Sequence, residues 1–276
     1  MPIYKPSELK NFLSSIKAAP QKRFSQNFLI DGNIVRKMIA FADIKEGETI
    51  LEIGPGPGVL TQLLLQNGHS VVAIEKDRKL CQALHRFQTP DERLKVFEED
   101  ALKWDPAFHI TSPAKIIANL PYHITTPLLT HFLPKYPLFS SMTLMVQKEF
   151  AERMLAGVGS SEYSSLSLFL QFYCTPKMGF IVEPTCFYPP PSIKSAVVQL
   201  ILKEPPPVDP TAFFEVTRRA FQQRRKMVRT SLKEHYALTH IEEGLECIGK
   251  GLNVRPEELT LADFLTLFSK VHHHTR

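Results

Sequence analysis

Residues 49–75 read TILEIGPGPGVLTQLLLQNGHSVVAIE. A short apolar run with β-branched residues stops at glycine, a helical pattern follows and is closed by Gly68, and a second apolar run begins. Two strands joined by a helix of this length form a βαβ unit, which commits the chain to a parallel sheet. The alternation continues. DRKLCQALHRF is helical, LKVFEE a strand, AKIIAN a strand, TPLLTHFL a helix, SMTLMVQ a strand and KEFAERMLA a helix. The strands are almost wholly apolar, as strands covered by helices on both faces must be. The expected fold is therefore α/β, a doubly wound and mostly parallel sheet.

Further along, FYPPPSIKSAVVQLILK is a proline-rich loop leading into a strand, and KEPPPVDP (203–210) is a stiff linker. Beyond it the pattern is helical only, over roughly 211–234, 241–249, 256–259 and 261–270. The sequence thus predicts a loosely ordered basic N-terminal arm (1–23), a sheet domain (24–204) and a small all-helical C-terminal domain (205–276). There is no internal repeat.

Composition excludes several classes. The four cysteines are scattered without a CxxC pair, which argues against a zinc site and a disulfide framework and for reduced thiols in the cytoplasm. The first residues lack the apolar stretch of a secretory signal, and no apolar run approaches bilayer length. The histidine triplet 272–274 is given no metal role. A net charge of +5 is compatible with an anionic partner but does not require one.

The glycine loop carries the first chemical signal. Gly54, Gly56 and Gly58 allow a tight turn and close backbone approach to a ligand ahead of a helix N-terminus. A dinucleotide fingerprint needs G-x-G-x-x-G, but Val59 occupies the last position, so the loop is G-x-G-x-G. That form resembles the first motif of S-adenosylmethionine-dependent methyltransferases. Glu75 ends the next strand 21 positions after Gly54, where an acid binds ribose hydroxyls in nucleotide-binding sheets; the alternative is a solvated carboxylate beside Lys76. Asp100 ends the third strand and could accept from an adenine amino group or simply cap a helix. Asp105 reads as a cap or surface residue.

The segment Asn119-Leu120-Pro121-Tyr122 ends the fourth strand on the ligand edge of the sheet. An exocyclic base amine is a poor nucleophile because its lone pair is delocalised. Acceptors aimed at its hydrogens favour the tetrahedral geometry that methylation needs. The Asn119 side-chain oxygen and the Leu120 carbonyl are suitable, Pro121 keeps Leu120 extended, and Tyr122 offers a ring to stack on the base. Phe187, held by prolines, is a second stacking candidate, with core packing as its alternative and Tyr188 as a competitor. In RRAFQQRRKMVRTSLK, the cations Arg218, Arg219, Arg224, Arg225, Lys226 and Arg229 have no interleaved acid. Read as one helix, the stretch buries Phe214, Phe221 and Val228 and puts Arg218, Arg225 and Arg229 on a common face for phosphate. The whole tail from 203 carries 12 Lys and Arg against 10 Asp and Glu, so the cation is local.

Taken together, KRFSQNFLID, LEIGPGPGVLT, AIEKD, EEDALKWD, ANLPYHITTPLL, VQKEFAERMLA, FYPPPSIKSAVVQL and FQQRRKMVRTSL resemble, in order, the ribosomal RNA adenine dimethyltransferase family. The resemblance implies methyl transfer from S-adenosylmethionine to N6 of two adjacent adenosines, in a hairpin loop near the 3′ end of small-subunit ribosomal RNA. It implies that Asn27, Leu29, Gly54, Gly56, Glu75, Asp100 and Asn119 hold the cofactor, and that Asn119, Leu120, Tyr122 and Phe187 serve the target base. RNA contacts would come from Arg218, Arg224, Arg225, Lys226 and Arg229. The expected setting is a cytoplasmic monomer acting on a pre-ribosomal particle, with no membrane association. Two rivals remain at this point. One is the large-subunit RNA adenine methyltransferase of the macrolide-resistance type. The other is a binding factor that keeps this fold without the chemistry. A nicotinamide dehydrogenase fails on Val59 and on the lack of a hydride-transfer partner.

Overall fold

The structure, a computed structural model, describes residues 3–21, 26–88, 90–110, 113–121, 124–223 and 226–272. The chain divides into two compact units, Met1–Ala151 with Thr175–Glu204, and Glu152–Cys174 with Pro205–Arg276. The first unit holds α1 (Pro6–Ser15), β1 (Phe28–Leu29), α2 (Gly32–Ala42), β2 (Thr49–Ile53), α3 (Val59–Gln66), β3 (Ser70–Glu75) and α4 (Arg78–Leu84). It continues with β4 (Leu94–Glu98), β5 (Ala114–Asn119), α5 (Thr125–Phe132) and β6 (Phe139–Gln147). After α6 (Lys148–Leu155) and α7 (Ser165–Tyr173), the chain returns to it through β7 (Cys174–Val182), β8 (Phe187–Tyr188) and β9 (Ser195–Leu202). The second unit ends with α8 (Pro210–Phe221), α9 (Val228–Leu232), α10 (Leu238–Cys247) and α11 (Leu261–His272).

Seven strands form one sheet in the order β4-β3-β2-β5-β6-β9-β7. From β4 to β6 every pairing is parallel, and β9 lies antiparallel to β6. The chain leaves β2 towards β3 on one side and reaches β5 on the other. Leu51 accordingly stands between Val72 and Ile116. This reversal opens a crevice at the carboxyl ends of β2 and β5, where open α/β sheets bind ligands. The strands on either side are buried on both faces, as their apolar sequences demand. The doubly wound expectation holds.

Three local expectations do not. The N-terminal arm is not loosely ordered: residues 6–15 form α1, in which Leu9 (0% exposed) and Leu13 (4%) are buried. Leu9, Phe12, Leu13 and Ile16 recur at helical spacing and join the core that contains Met38 and Ile39. The Tyr4 ring lies against Gly32, where an added Cβ would come within 2.9 Å of it. The helix expected over 211–234 is two helices, because α8 ends at Phe221 and α9 starts at Val228. On α8, Phe213 (0% exposed) takes the fully buried position and Phe214 is only half-buried.

The third correction concerns residues 152–174, which belong to the helical unit and interrupt the span expected of the sheet domain. The reason is aromatic packing. Phe172 of α7 stacks on Phe213 at 5.2 Å between ring centroids, and Phe213 meets Phe268 edge-on at 5.6 Å. The Tyr163 hydroxyl donates to the Leu259 carbonyl at 3.1 Å. A short helix such as α8 or α9 is marginal alone, and these rings supply its tertiary support.

Leu9→Ala tests the packed N-terminal helix. Its fully buried side chain should cost about 2–5 kcal/mol of unfolding free energy by urea denaturation. A loss near zero would mean that α1 does not pack on the core.

Candidate functional site

The crevice is walled by the loop after β2 (Gly54–Pro57), the end of β3 (Glu75, Lys76), the turn after β4 (Glu99–Leu102), Asn119 and Pro121, and residues 26–29. Val35, Met38, Leu60 and Leu128 make its apolar side. All of these belong to the first unit.

The glycine loop is shaped by backbone geometry. Gly54, Gly56 and Gly58 have φ of 67°, 56° and 81°, in the left-handed region that disfavours side chains. A Cβ on Gly54 would meet nothing within 4 Å, so the absence of a side chain there leaves room for a ligand. A Cβ on Gly58 would come within 2.4 Å of the Phe87 ring and 2.8 Å of Leu84, so the end of α4 and the turn after it pack directly against the loop.

Glu75 is buried (6% exposed) at the end of β3. One carboxylate oxygen accepts from the Gly56 N–H at 3.0 Å, and the other accepts from the Asp77 N–H at 2.8 Å. Burial raises its pKa, while the two backbone N–H groups pull the other way. Asp100 sits at the opposite corner. One oxygen accepts from the Leu102 N–H at 3.0 Å, so the capping alternative is realised as a turn, while the other pairs with Lys76 at 2.8 Å. Burial opposes its ionisation, but the hydrogen bonds from Lys76 and the Leu102 N–H outweigh it, and its carboxyl lies below the ordinary range. Asp105 caps the turn at Ala107, as read from sequence.

Asn119 ends β5 and enters the crevice. Its side-chain N–H donates to the Asn27 carbonyl at 3.2 Å, which leaves the amide oxygen on the other side of the group. Asn27 and Leu29 also line the crevice, and so join Gly54, Gly56, Glu75, Asp100 and Asn119 in one place. Leu120 is not among the lining residues; its side chain is buried (3% exposed) and its N–H donates to the Met145 carbonyl at 3.3 Å. Any role at the base therefore falls to its carbonyl.

Phe187 lies apart from these residues. It is absent from the crevice lining and 3% exposed, because β8 pairs antiparallel with β1 and sets Phe187 opposite Leu29 in the core. The buried ring matches the core-packing alternative read from sequence, and stacking on a base stays an expectation. Tyr122 lies outside the described residues, as do Arg224 and Arg225. Of the other cations expected to bind RNA, Arg218 and Lys226 are exposed. Arg229 pairs with Glu242 at 3.2 Å, and neighbouring Arg219 pairs with Glu215. The stretch is therefore partly neutralised by acids distant or earlier in sequence. The break between α8 and α9 removes the continuous helix that would put Arg218 and Arg229 on one face.

The sequence reading missed Glu52, although a lone acid inside an apolar strand was a visible signal. Its side chain is 1% exposed, lines the crevice beneath the glycine loop and accepts a hydrogen bond from the Thr61 hydroxyl at 2.6 Å. Desolvation pushes its pKa up to about 8, against the pull of the Thr61 hydrogen bond and with a further push from the nearby Glu75. Glu52 is thus neutral at pH 7 and ties β2 to the first turn of α3.

The chain matches the family model described as ribosomal RNA adenine dimethylase over residues 18–271. A relative from Protochlamydia amoebophila, named ribosomal RNA small subunit methyltransferase A, is 50% identical over 100% of both chains. The protein of the same name from Chlamydia muridarum is 41% identical over 95% of each. Among solved structures, a dimethyladenosine transferase from Plasmodium falciparum superimposes with a TM-score of 0.75 at 30% identity, covering 85% of this chain and 94% of that one. The 23S rRNA methyltransferase ErmE superimposes with a TM-score of 0.69 at 23% identity, covering 89% and 100%, which is a likeness of fold.

Glu52→Gln checks the neutral acid by pH. The carboxyl holds its proton in the folded state up to about pH 8 but releases it near 4.5 when unfolded. The folded state therefore binds the extra proton between these values, and stability from this group falls as pH rises through that window. The amide should flatten the decline in Tm between pH 5 and 8 relative to the unaltered protein. Parallel Tm profiles would show an ionised Glu52.

Proposed function

This chain belongs to the ribosomal RNA adenine dimethylase family, and we propose that it dimethylates N6 of two adjacent adenosines in a hairpin loop near the 3′ end of small-subunit ribosomal RNA. It is an S-adenosylmethionine-dependent ribosomal RNA adenine dimethyltransferase. Its finer substrate is proposed to be that RNA within a pre-ribosomal particle, met by a cytoplasmic monomer. Among the described residues no helix is long and apolar enough to cross a membrane.

The crevice suits the cofactor by its chemistry. Glu75 presents a carboxylate whose remaining lone pairs can accept from two ribose hydroxyls. Asp100 can accept from an adenine amino group, and the open space at Gly54 admits the body of the ligand. Asn27, Leu29 and Gly56 complete the wall. When bound, S-adenosylmethionine supplies an activated methyl group on a sulfonium.

The observation that carries the reading is the hydrogen bond from Asn119 to the Asn27 carbonyl. It fixes the amide so that the Asn119 oxygen is an acceptor at the ligand edge of β5. That oxygen and the Leu120 carbonyl accept the two hydrogens of the adenine amino group and draw its lone pair out of the ring. Positive charge developing on that nitrogen is stabilised by the same two oxygens. No strong base is required, because the methylated ammonium is acidic and loses its proton readily. Tyr122 is proposed to stack on the base. Phe187, which the β1–β8 pair sets opposite the crevice residue Leu29, is proposed as a second stacking residue.

Asn119→Ala should lower kcat by about 10²–10³, since the lost acceptor acts on the developing charge. Full dimethylation by this variant would rule out the mechanism. The substrate is tested by incubating the protein and labelled cofactor with unmethylated small and large ribosomal subunits. Label is expected on adenosines of the small subunit; label confined to the large subunit would favour the macrolide-resistance activity.

A further inference from the structure

Beside the crevice, on the same unit, lies a second groove lined by Lys17, Ala18, Ala19, Gln21, Lys76, Asp77, Arg78 and Lys79. Four of these are cations, and all four are exposed. The one acid is turned inward. Asp77 is 8% exposed, and one of its oxygens accepts from the N–H groups of Lys79 (3.0 Å) and Leu80 (3.3 Å). Its other oxygen accepts from the Gln21 side chain. The Lys79 ammonium donates to the Lys17 carbonyl, which ties the segment after α1 to α4 and builds one wall of the groove. Lys76 lines both this groove and the crevice, so the two are neighbours. The cations come from two distant stretches, 17–21 and 76–79; the sequence reading saw a basic N-terminal arm but did not join it to the second stretch.

We propose that this groove binds the sugar–phosphate backbone of the ribosomal RNA flanking the target adenosines. The proposal rests on the ribosomal RNA reading given above and adds a contact surface on the sheet unit. Cations grouped at a groove, with the local acid consumed by backbone and amide donors, favour a polyanion with regularly spaced charges. Such contacts fix the register of the RNA and carry no base specificity, which is what placing a chosen adenosine at Asn119 requires in addition to the base pocket.

The test is RNA binding as a function of salt, by fluorescence anisotropy with the target hairpin, using the full chain with Lys17→Gln and Arg78→Gln together. Neither side chain lines the crevice. Loss of two phosphate contacts should reduce the slope of log affinity against log salt by about 1.4–1.8, and weaken binding roughly tenfold at low salt. KM for RNA should rise in step, while kcat at saturating RNA and cofactor affinity stay unchanged. The charge-keeping pair Lys17→Arg and Arg78→Lys should restore the slope. A folded double glutamine variant with an unchanged slope and KM overturns the proposal, as does an unaltered protein that fails to bind the hairpin. Failure of the methylation reading would be seen separately, as an unaltered protein that binds the hairpin but labels no adenosine, and the slope comparison would still decide the groove.

Discussion

A buried carboxylate joins the two loops that make the crevice. Glu75 hydrogen-bonds to the Gly56 N–H with one oxygen and to the Asp77 N–H with the other, so the turns after β2 and β3 are set against each other through one side chain. Leaving such a group buried without partners would cost several kcal/mol, so the loop geometry that supplies the N–H groups is enforced by the carboxylate as much as the reverse. Gly56 can meet this demand because it holds φ 56° and because the Phe28 ring stands 3.1 Å from where its Cβ would be. Phe28 in turn belongs to β1, which pairs with β8. A single acid therefore organises the glycine loop, and at Gly56 the Phe28 ring packs tightly against it.

The alternation of apolar strands and helices made the sheet legible, because period and length are written locally. The crevice residues Gly54, Glu75, Asp100 and Asn119 were legible for a related reason: each ends a strand on the ligand edge. What escaped was tertiary. In α1 the apolar positions Leu9, Phe12, Leu13 and Ile16 were in plain view, but basic composition masked them. Residues 152–174 follow the sheet in sequence, yet their aromatic rings find partners in 213–268. Phe187 carried no local sign that pairing with Leu29 would bury it. Glu52 stood out as a charge within TILEI and still could not be assigned, because its protonation depends on how completely the sheet covers it.

That protonation also governs the electrostatics of the crevice. Glu52 and Glu75 both line it and are both buried. Burial raises the pKa of both, and the neighbouring Glu75 pushes Glu52 further up. A neutral Glu52 still accepts from Thr61, so the link from β2 to α3 survives without a second negative charge. Asp100 has Lys76 for a partner, and its anion is favoured. Burial thus raises Glu52 and Glu75, whereas Lys76 helps to hold Asp100 below its ordinary range.

The segment between α1 and β1 then takes on more than a covering role. Its Asn27 carbonyl holds the Asn119 amide, its Phe28 lies on the glycine loop, and its Gln21 engages Asp77 at the start of α4. Every strand-edge residue of the crevice belongs to the sheet, but the orientation of Asn119 is set from outside it. Packing of α1 anchors this segment at one end and the β1–β8 pair anchors it at the other. Loosening either end would free the Asn119 amide to turn, which in the proposed mechanism exchanges its oxygen for an N–H at the target amine. A donor there would oppose the charge that develops, so the apolar contacts of an N-terminal helix bear directly on the chemistry at the far edge of the sheet.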